Sequence, residues 1–391
     1  MTVRSRVPFA LLIALLLVLF GALSTGTAAS ATPSKPGQAK AATNGLPYVA
    51  MGDSFGAGYG IAPATGKPVA GCGQSGDDYP HRVAEALGLK LTDVTCAGAV
   101  TANLISTPQR TDHGTAKPQA DALGRDTRVV TVTIGGNDLG FFTTATACIA
   151  LSADGPIISA QKPNCKKSYV IDGKDTMAAR LAGPVTSGLA KTFATITAAA
   201  PRAKVFVVGY PTIMPNAANT PAKGCFRAPL EGSSLPALHI DDGFPFTDVD
   251  VVYLNSLQQS LDQAMRAATE RAGFTYVSTL EASAAHSPCA SADASYINGI
   301  SLRLNSADRA LSVSPGALHP NAKGAAFLAR SVIPEIERAF PVHTSTPRPQ
   351  SLPAQDASPW RWAALAVGAV VLAIVALWVI LWRRRRNRSV S

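Results

Sequence analysis

The chain has 391 residues, 47% of them hydrophobic, and a formal net charge of +10. Seven of its 35 basic residues lie at the two ends, where no acidic residue occurs, at Arg4, Arg6, Arg383, Arg384, Arg385, Arg386 and Arg388. The other 28 basic residues nearly balance the 25 acidic ones, so the charge argues against a nucleic-acid-binding protein and for basic termini beside a membrane.

The first 31 residues are predicted to be a signal peptide. Arg4 and Arg6 precede an apolar run, Val7–Leu23, and Ala29–Ala31 forms an A-x-A-like cleavage site. The alternative is an uncleaved membrane anchor, for which the apolar run is short. Residues 32–45, rich in Ala, Pro, Lys, Gly and Thr, are predicted to be a flexible lead.

Five short apolar runs follow, each with the length of a strand that is buried on both faces. They are Leu46–Met51, Leu91–Cys96, Val129–Ile134, Lys204–Gly209 and Phe274–Thr279. Helical patterns occupy Asp77–Leu87, Asp175–Ala200, Asp248–Ala272 and Asn321–Phe340. This alternation predicts one α/β domain over residues 46–341, with a five-stranded parallel sheet and helices on both of its faces.

The six cysteines of the chain lie between its two hydrophobic ends, at Cys72, Cys96, Cys148, Cys165, Cys225 and Cys289. An even number in an exported chain predicts three disulfides, of which the sequence leaves fifteen pairings open. No CxxC pair occurs, which argues against a zinc cluster. Ala150–Lys174 and Pro211–Phe246 lack a clear period and are predicted to be long, disulfide-pinned loops that form walls of a substrate site.

The C-terminal end is predicted to anchor the protein in a membrane. Residues 342–361 are rich in Pro, Ser and Thr and form a predicted stalk. Trp362–Trp382 carries no charge and is long enough to cross a bilayer, and residues 383–391 form a basic tail. Because positive charge stays on the cytoplasmic side, the predicted location is the plasma membrane, with a single pass and the main domain extracellular.

This end has two other interpretations. A fully buried core helix would have four consecutive arginines at its end. A sortase substrate would carry a sorting motif, and Leu352–Asp356 begins like one but lacks its Thr-Gly.

Four segments carry candidate catalytic groups, three of them after apolar runs and one before the last helix. They occur at Gly52–Ser54, Ala97–Gly98, Gly135–Asp138 and Leu318–Asn321. Because sites in open parallel sheets form beyond the carboxyl ends of the strands, these segments are expected on one rim. They supply a hydroxyl, a small backbone donor, an amide and an imidazole.

This set of groups suits acyl transfer. A serine hydroxyl attacks a carbonyl only when a base takes its proton, and His319 would accept the proton of Ser54. The tetrahedral intermediate needs donors aimed at its oxyanion. The backbone amides of Ser54 and Gly98 and the side chain of Asn137 can supply three of them.

These motifs resemble those of the SGNH hydrolase family, also called GDSL-type esterases and lipases. The resemblance covers about residues 46 to 341 and implies a three-layer α/β/α, flavodoxin-like fold. It also implies that Ser54 is the nucleophile, that His319 is the base, and that Gly98 and Asn137 complete the oxyanion hole with Ser54. The six cysteines are similar to those of secreted actinobacterial lipases of this family, which implies the pairs Cys72–Cys96, Cys148–Cys165 and Cys225–Cys289.

One position departs from the family pattern. Members often carry Asp three residues before the histidine, where this chain has Gly316, and the first acid further upstream is Asp308. Either a dyad or a distant acid is implied. We predict a Ser54–His319 dyad whose imidazole is oriented by a main-chain carbonyl between Ser314 and Ala317.

Each motif alone has a simpler explanation. Ser54 and Asn137 can cap helices, Gly98 can serve a turn, and His319 can simply begin a helix. The remaining histidines show no ligand spacing and are interpreted as surface or structural residues, at His81, His113, His239, His286 and His343.

The glycine-rich start has two further readings. Gly52–Gly56 fits the G-x-S-x-G nucleophile elbow, but that elbow follows several strands, and here only a leader precedes it. The glycines at 56, 58 and 60 lack the lysine of a phosphate-binding loop.

The sequence therefore predicts a surface-anchored serine esterase or lipase that forms an acyl-enzyme from a small-molecule or lipid ester. It predicts no metal, no cofactor and no nucleic-acid partner. One alternative is a carbohydrate O-deacylase with the same machinery. Another is a non-catalytic surface binding module, which would be expected to have lost Ser54, Asn137 or His319.

Overall fold

The computed structural model describes residues 40, 42–228, 239–304, 311–341 and 360–387. The predicted signal peptide at 1–31 lies outside these residues, as do most of the lead at 32–45 and nearly all of the stalk at 342–361. The chain divides into two units, residues 1–342 and 343–391. The domain boundaries read from the sequence stay predictions.

Twelve strands occur in the described residues, and five of them form the main sheet. The strands are β1 (Pro47–Gly52), β2 (Lys90–Asp93), β3 (Gln109–Thr111), β4 (Gly114–Ala116), β5 (Val129–Thr133), β6 (Val170–Ile171), β7 (Lys174–Asp175), β8 (Lys204–Val208), β9 (His239–Gly243), β10 (Thr275–Val277), β11 (Ile300–Leu304) and β12 (Leu311–Val313). The main sheet has the order β10-β8-β5-β1-β2, with every pair parallel. Each strand overlaps one of the five apolar runs, so the predicted α/β fold with a five-stranded parallel sheet is confirmed.

The strand order reverses at β1. From β1 the chain crosses to β2 on one side and later to β5 on the other side. In open parallel sheets, ligands bind outside the carboxyl ends of the strands where the order reverses. The topology therefore predicts a ligand site at the segments that follow Gly52 and Thr133, the last residues of β1 and β5.

Helices occur in both units of the chain. They are α1 (Ser54–Ala57), α2 (Tyr79–Leu87), α3 (Thr101–Ile105), α4 (Gly136–Leu139), α5 (Phe141–Ala147), α6 (Lys166–Tyr169), α7 (Thr176–Arg180), α8 (Thr186–Ala199), α9 (Asp248–Arg271), α10 (Ala322–Ala339) and α11 (Trp360–Asn387). Short 3₁₀ helices occur at Ala70–Cys72, Gln119–Ala122, Ala217–Asn219 and Glu281–His286.

Alternate residues of the central strands point to opposite faces, as the pleat of a strand requires. Met51 and Val132 belong to a core cluster that includes the buried side chains of α8 and α9. Tyr48 and Phe206 belong to a second cluster, which includes buried side chains of α2 and α10. The sheet therefore lies between two apolar helical layers.

The long helix predicted at Asp175–Ala200 is interrupted. A π-helical turn, Leu181–Val185, joins α7 to α8 and contains Pro184. Because proline lacks an N–H and crowds the preceding turn, a regular α-helix cannot continue through it without losing a hydrogen bond. The wider turn accommodates the ring.

The segments predicted to be long loops contain short ordered elements. Ala150–Lys174 includes α6 and β6, and β9 from Pro211–Phe246 joins an antiparallel sheet of order β12-β11-β9. Disulfides link Cys72 to Cys96, Cys148 to Cys165 and Cys225 to Cys289, which are the pairs that the resemblance implies.

The predicted membrane span at Trp362–Trp382 falls in α11, whose side chains are described at position 370 and over 372–384. A bilayer span needs about 20 predominantly apolar residues in one helix. In the part of the chain that the structure describes, no helix combines that length with sufficient apolar character. The membrane anchor predicted from the sequence is therefore not supported.

Candidate active site

Ser54 is the first residue of α1, directly beyond β1. Asp53 caps this helix, with its Oδ1 accepting a hydrogen bond from the Phe55 N–H at 3.0 Å. Gly52 has a φ of +133°, and a Cβ there would lie 2.3 Å from the carbonyl oxygen of Thr133. Only glycine allows β1 and β5 to approach so closely, and this approach fixes where the serine emerges.

His319 reaches Ser54 from the turn between β12 and α10. Its Nε2 lies 2.8 Å from Ser54 Oγ, and its Nδ1 lies 2.7 Å from the carbonyl oxygen of Ala317. A carbonyl can only accept, so Nδ1 carries the proton and Nε2 is left to accept the serine proton. The predicted backbone acceptor between Ser314 and Ala317 is thus the carbonyl of Ala317.

The turn before His319 disfavours any side chain, and so a carboxylate, at position 316. Gly316 has a φ of +84°, and a Cβ there would lie 3.2 Å from the Cα of Gly60 and 3.3 Å from the carbonyl oxygen of Tyr59. Asn298 holds this turn from the other side, because its Nδ2 donates to the Gly316 carbonyl at 3.1 Å and its N–H to the His319 carbonyl at 2.9 Å.

The environment of His319 favours the neutral imidazole. Its ring is 7% exposed and lies 5.1 Å from the ring of Phe55, 5.5 Å from that of Tyr59 and 5.5 Å from that of Phe142. Burial lowers the pKa of His319 to about 4, although the hydrogen bond to Ala317 acts in the opposite direction. The imidazole is therefore an unprotonated base at neutral pH.

Tyr210 is a site residue that the sequence reasoning missed. Its hydroxyl donates to Asp53 Oδ2 and accepts the Gly136 N–H at 2.9 Å, so it connects the segments after β1 and β5. Burial raises the pKa of Asp53 to about 7, and the hydrogen bond from Tyr210 partly opposes that rise. Tyr210 follows the fourth apolar run, so reading the residues beyond that strand would have found it.

Asn137 lies in α4, at the rim beside Ser54. Its Nδ2 donates to the carbonyl oxygen of Ala99 at 3.0 Å, and the second hydrogen of that amide remains available. Asp138 accepts the Thr101 N–H at 2.9 Å and ties α4 to the start of α3. The amide of Asn137 is thus held against the loop that follows β2.

Gly98 lies in that loop, with a φ of +80°. Ser54, Asn137 and His319 line one cavity, whereas Gly98 lines a shallow groove with Asn103 and Gln109. The structure therefore brings together three of the four predicted site residues in one cavity and places Gly98 beside it.

The cavity next to Ser54 is mainly apolar. Its apolar lining consists of Phe55, Phe141, Phe142, Ile213, Leu261, Leu280 and Leu318. Gln258 and Asp262 add polar groups, and Gln258 Oε1 already accepts the N–H groups of Ile213 and Met214. Such a surface suits a hydrocarbon chain better than a polyhydroxylated ring.

Two clusters among the described residues have the composition of a metal site. In the first, Cys148 and Cys165 share a disulfide, and Asp250 accepts the N–H of Cys165 at 3.0 Å. Its ligand atoms are therefore already used. The second consists of Asp78, His81 and Asp93 and lies outside the cavity lining.

Residues 50–327 match the model of the GDSL-like lipase/acylhydrolase family. Lipase 2 of Streptomyces coelicolor is 34% identical over 270 residues, which are 69% of this chain and 80% of that protein. An esterase of Streptomyces scabiei is 28% identical over an alignment of 312 residues that covers 75% of this chain and 86% of that protein.

Two solved structures share the fold. Phospholipase A1 from Streptomyces albidoflavus NA297 aligns with a TM-score of 0.52 at 21% identity, covering 76% of this chain and 100% of that one. An extracellular lipase from Streptomyces rimosus aligns with a TM-score of 0.51 at 20% identity and the same coverage.

The family match and the related lipase and esterase define this protein as a carboxylic ester hydrolase. The chain belongs to the GDSL-like lipase/acylhydrolase family.

Proposed function

We propose that the protein is a serine esterase or lipase in which Ser54 attacks the ester and His319 is the base. The contact of 2.8 Å between Ser54 Oγ and His319 Nε2 supports this assignment most directly. The bond of 2.7 Å from Nδ1 to Ala317 holds the tautomer that the reaction needs. Neither contact requires a metal or a cofactor.

In the first half-reaction, Ser54 Oγ bonds to the ester carbonyl carbon while its proton moves to His319 Nε2. The carbonyl oxygen becomes an oxyanion, for which the N–H groups of Ser54 and Gly98 and the Asn137 amide are the proposed donors. The imidazolium then protonates the leaving alcohol, the C–O bond breaks, and an acyl-enzyme remains. Water attacks this ester by the same route and releases the acid.

The proposed substrates are lipid or small-molecule esters with an apolar acyl group. The aromatic and aliphatic lining of the cavity supports such a group. The Nδ2 of Asn137, its second donor hydrogen free, lies on the rim where the oxyanion would form. Away from the segments that carry Ser54, Asn137 and His319, the described lining offers only Gln258 and Asp262 as amide or carboxyl side chains for sugar hydroxyls. We therefore do not favour a sugar ester.

The proposed location is extracellular. Three disulfides involving buried or partly buried cysteines support an oxidising environment. The predicted signal peptide, which lies outside the described residues, agrees with export.

The test is Ser54→Ala in the full chain, assayed on esters of graded acyl length and with a serine-directed phosphonate. Turnover should fall by about 10⁴-fold or more, because the nucleophile is removed. Ser187→Ala is the matched control, since Ser187 is exposed on α8. Activity retained in Ser54→Ala, or phosphonate labelling at another residue, would contradict the proposal.

A further inference from the structure

A second cluster of titratable groups lies where α2 begins beside the end of β2. Asp78 caps α2, His81 lies in its first turn, and Asp93 is the last residue of β2. One ligand atom of each side chain lies within 4.8 Å of the other two. The side chains of Asp78 and Asp93 are 0% and 4% exposed, whereas that of His81 is 34% exposed. The cluster is thus a buried pair of carboxyl groups with an imidazole at its outer side.

Hydrogen bonds satisfy only one oxygen of each carboxyl group. Asp78 Oδ1 accepts the His81 N–H at 2.8 Å, and Asp93 Oδ1 accepts from the N–H and hydroxyl of Thr95 at 2.9 and 2.6 Å. The Oδ2 atoms of both aspartates are buried without a partner. Asp93 Oδ2 lies only 3.6 Å from His81 Nδ1, so it points into the cluster. Such atoms normally bind a proton, a water molecule or an ion.

The charges within the cluster do not balance. Two carboxylates beside one imidazolium leave one negative charge in a buried position. Among the described residues, no lysine or arginine forms an ion pair with either aspartate. A divalent cation beside a neutral imidazole would balance both carboxylates.

We propose that Asp78, His81 and Asp93 form a binding site for a divalent transition-metal ion of the Zn²⁺ class. An imidazole nitrogen with two carboxylate oxygens suits such an ion, whereas Ca²⁺ and Mg²⁺ prefer all-oxygen sites. At bond lengths of about 2.1 Å, two ligands of a tetrahedral ion lie about 3.4 Å apart. The 3.6 Å between His81 Nδ1 and Asp93 Oδ2 is close to this separation.

The remaining coordination position opens to the surface. His81 and Asp93 line a groove with Thr65, Lys67 and Gln74, through which a hydrated ion can enter. Lys67 is exposed there and, as a like charge, opposes cation binding. The bond of 2.8 Å between His81 Nδ1 and Asp78 Oδ1 would be replaced by coordination to the ion.

The role of the ion would be structural. It would join the first turn of α2 to the end of β2. Asp78 also packs against the residue that ends α1, because a Cβ at Gly58 would lie 2.7 Å from the Cβ of Asp78. The ion would therefore stabilise the support of the Ser54 segment without touching the substrate.

The test uses the untagged full chain, treated with a chelator and then titrated with ZnCl₂, with CaCl₂ in parallel. Calorimetry should show one Zn²⁺ bound per chain and much weaker Ca²⁺ binding. At Zn²⁺ about 100-fold above its Kd, the Tm should rise by at least about 3 °C.

His81→Ala tests the site itself, because this partly exposed residue can be replaced without opening the core. The variant should weaken Zn²⁺ binding by at least about 10-fold, lose the rise in Tm and keep the ester turnover. His113→Ala, at an exposed histidine, is the matched control and should bind Zn²⁺ like the parent. Lys67→Ala should bind it more tightly.

Two results would overturn the proposal. One is Zn²⁺ binding in His81→Ala at the affinity of the parent, which would place the ion elsewhere. The other is a chain that binds no Zn²⁺ but gains stability on acidification. That result would show that a proton shared by Asp78 and Asp93, rather than a metal ion, neutralises the two carboxyl groups. Both readouts are independent of whether Ser54 is the nucleophile.

Discussion

A peptide carbonyl, rather than a carboxylate, orients the histidine beside Ser54. The Ala317 carbonyl fixes the tautomer of His319, but its partial charge stabilises an imidazolium less than a full negative charge would. Because burial dominates, the pKa of His319 falls to about 4. The free base is thus abundant at neutral pH, and the cost of this arrangement lies in charging the imidazole during the reaction.

The first prediction concerns the pH dependence of ester hydrolysis. Since His319 acts as a base only when neutral, kcat/KM should be lost as the pH falls through about 4, not through 6.5. The measurement is kcat/KM against pH in Asp53→Asn, because Asp53, with a pKa of about 7, is the other titrating group that contacts the Ser54 segment. An inflection near 6.5 in this variant would show that the imidazole is not shielded as described.

The second prediction tests Tyr210 as a positioning residue. Tyr210→Phe removes the hydroxyl that donates to Asp53 and accepts the Gly136 N–H. We expect kcat to fall by about 10- to 100-fold with a smaller change in KM, because the donors of the oxyanion hole shift. The pKa of Asp53 should also rise further, since the bond that lowers it is lost.

Tyr253→Phe is the matched control for Tyr210→Phe. It removes a comparable hydrogen bond, of 3.2 Å from the Tyr253 hydroxyl to Asp175. Neither Tyr253 nor Asp175 lines the cavity. Equal losses of kcat in the two variants would reduce the role of Tyr210 to general stability.

At the scale of elements, the central strands β1, β5 and β8 were predictable because most of their residues are buried on both faces and form continuous apolar runs. The predicted run Leu91–Cys96 extends past the end of β2, although the N–H groups of Val94 and Cys96 still donate to the carbonyls of Ala50 and Gly52 at 3.0 and 3.1 Å. The small sheet of β9, β11 and β12 was missed. β9 pairs with β11 across about sixty residues, with His239 opposite Arg303, and its sequence HIDDG has no apolar alternation. Ile300–Leu304 and Leu311–Val313 do alternate apolar and polar residues, but over only five and three positions.

The third prediction concerns the cap of α10, the helix that follows His319. Asn321 Oδ1 accepts the Gly324 N–H at 3.0 Å, and its Nδ2 donates to the Ser295 carbonyl at 2.9 Å. Asn321→Ala should lower the free energy of unfolding by about 1 to 2 kcal/mol. It should also lower kcat, because the turn that holds His319 loses its attachment.

The control for this variant is Asn216→Ala, which removes the asparagine cap of the short 3₁₀ helix Ala217–Asn219, where Asn216 accepts the Asn219 N–H at 3.0 Å. Urea unfolding and ester turnover are measured for both. Unchanged turnover in Asn321→Ala would show that the Asn321 cap does not position His319.

At the scale of the whole molecule, the disulfides constrain the unfolded chain to different extents. Cys225–Cys289 spans 64 residues and Cys148–Cys165 spans 17. The chain-entropy model gives about 4 kcal/mol for the longer loop and about 3 kcal/mol for the shorter one. The fourth prediction is that replacing Cys225 and Cys289 by alanine lowers the free energy of unfolding more than replacing Cys148 and Cys165. Denaturant titration of the two double variants measures this difference, and the reverse order would rule out the loop-length explanation.

The candidate site could be predicted from the sequence where its residues follow strands. Ser54, Asn137 and His319 stand in recognisable segments, and the structure places them on one cavity. Tyr210 stands alone after β8, and its role depends on a contact with Asp53 across 157 positions. His81 was interpreted as a surface or structural residue because the histidines show no ligand spacing. Asp78 caps the helix that contains His81, but the other proposed partner, Asp93, lies on β2, and the sequence does not show that they meet.

The contact between Gly60 and Gly316 also governs how this protein can change over generations. A mutation from glycine to aspartate at 316 would place a side chain on a left-handed backbone and against the Cα of Gly60 at 3.2 Å. A side chain at position 60 would be crowded as well, since a Cβ there would lie 2.6 Å from the Cα of Gly316. A single change to aspartate at 316 would therefore be strained, and a triad built on this turn would require the loop after α1 to shift as well.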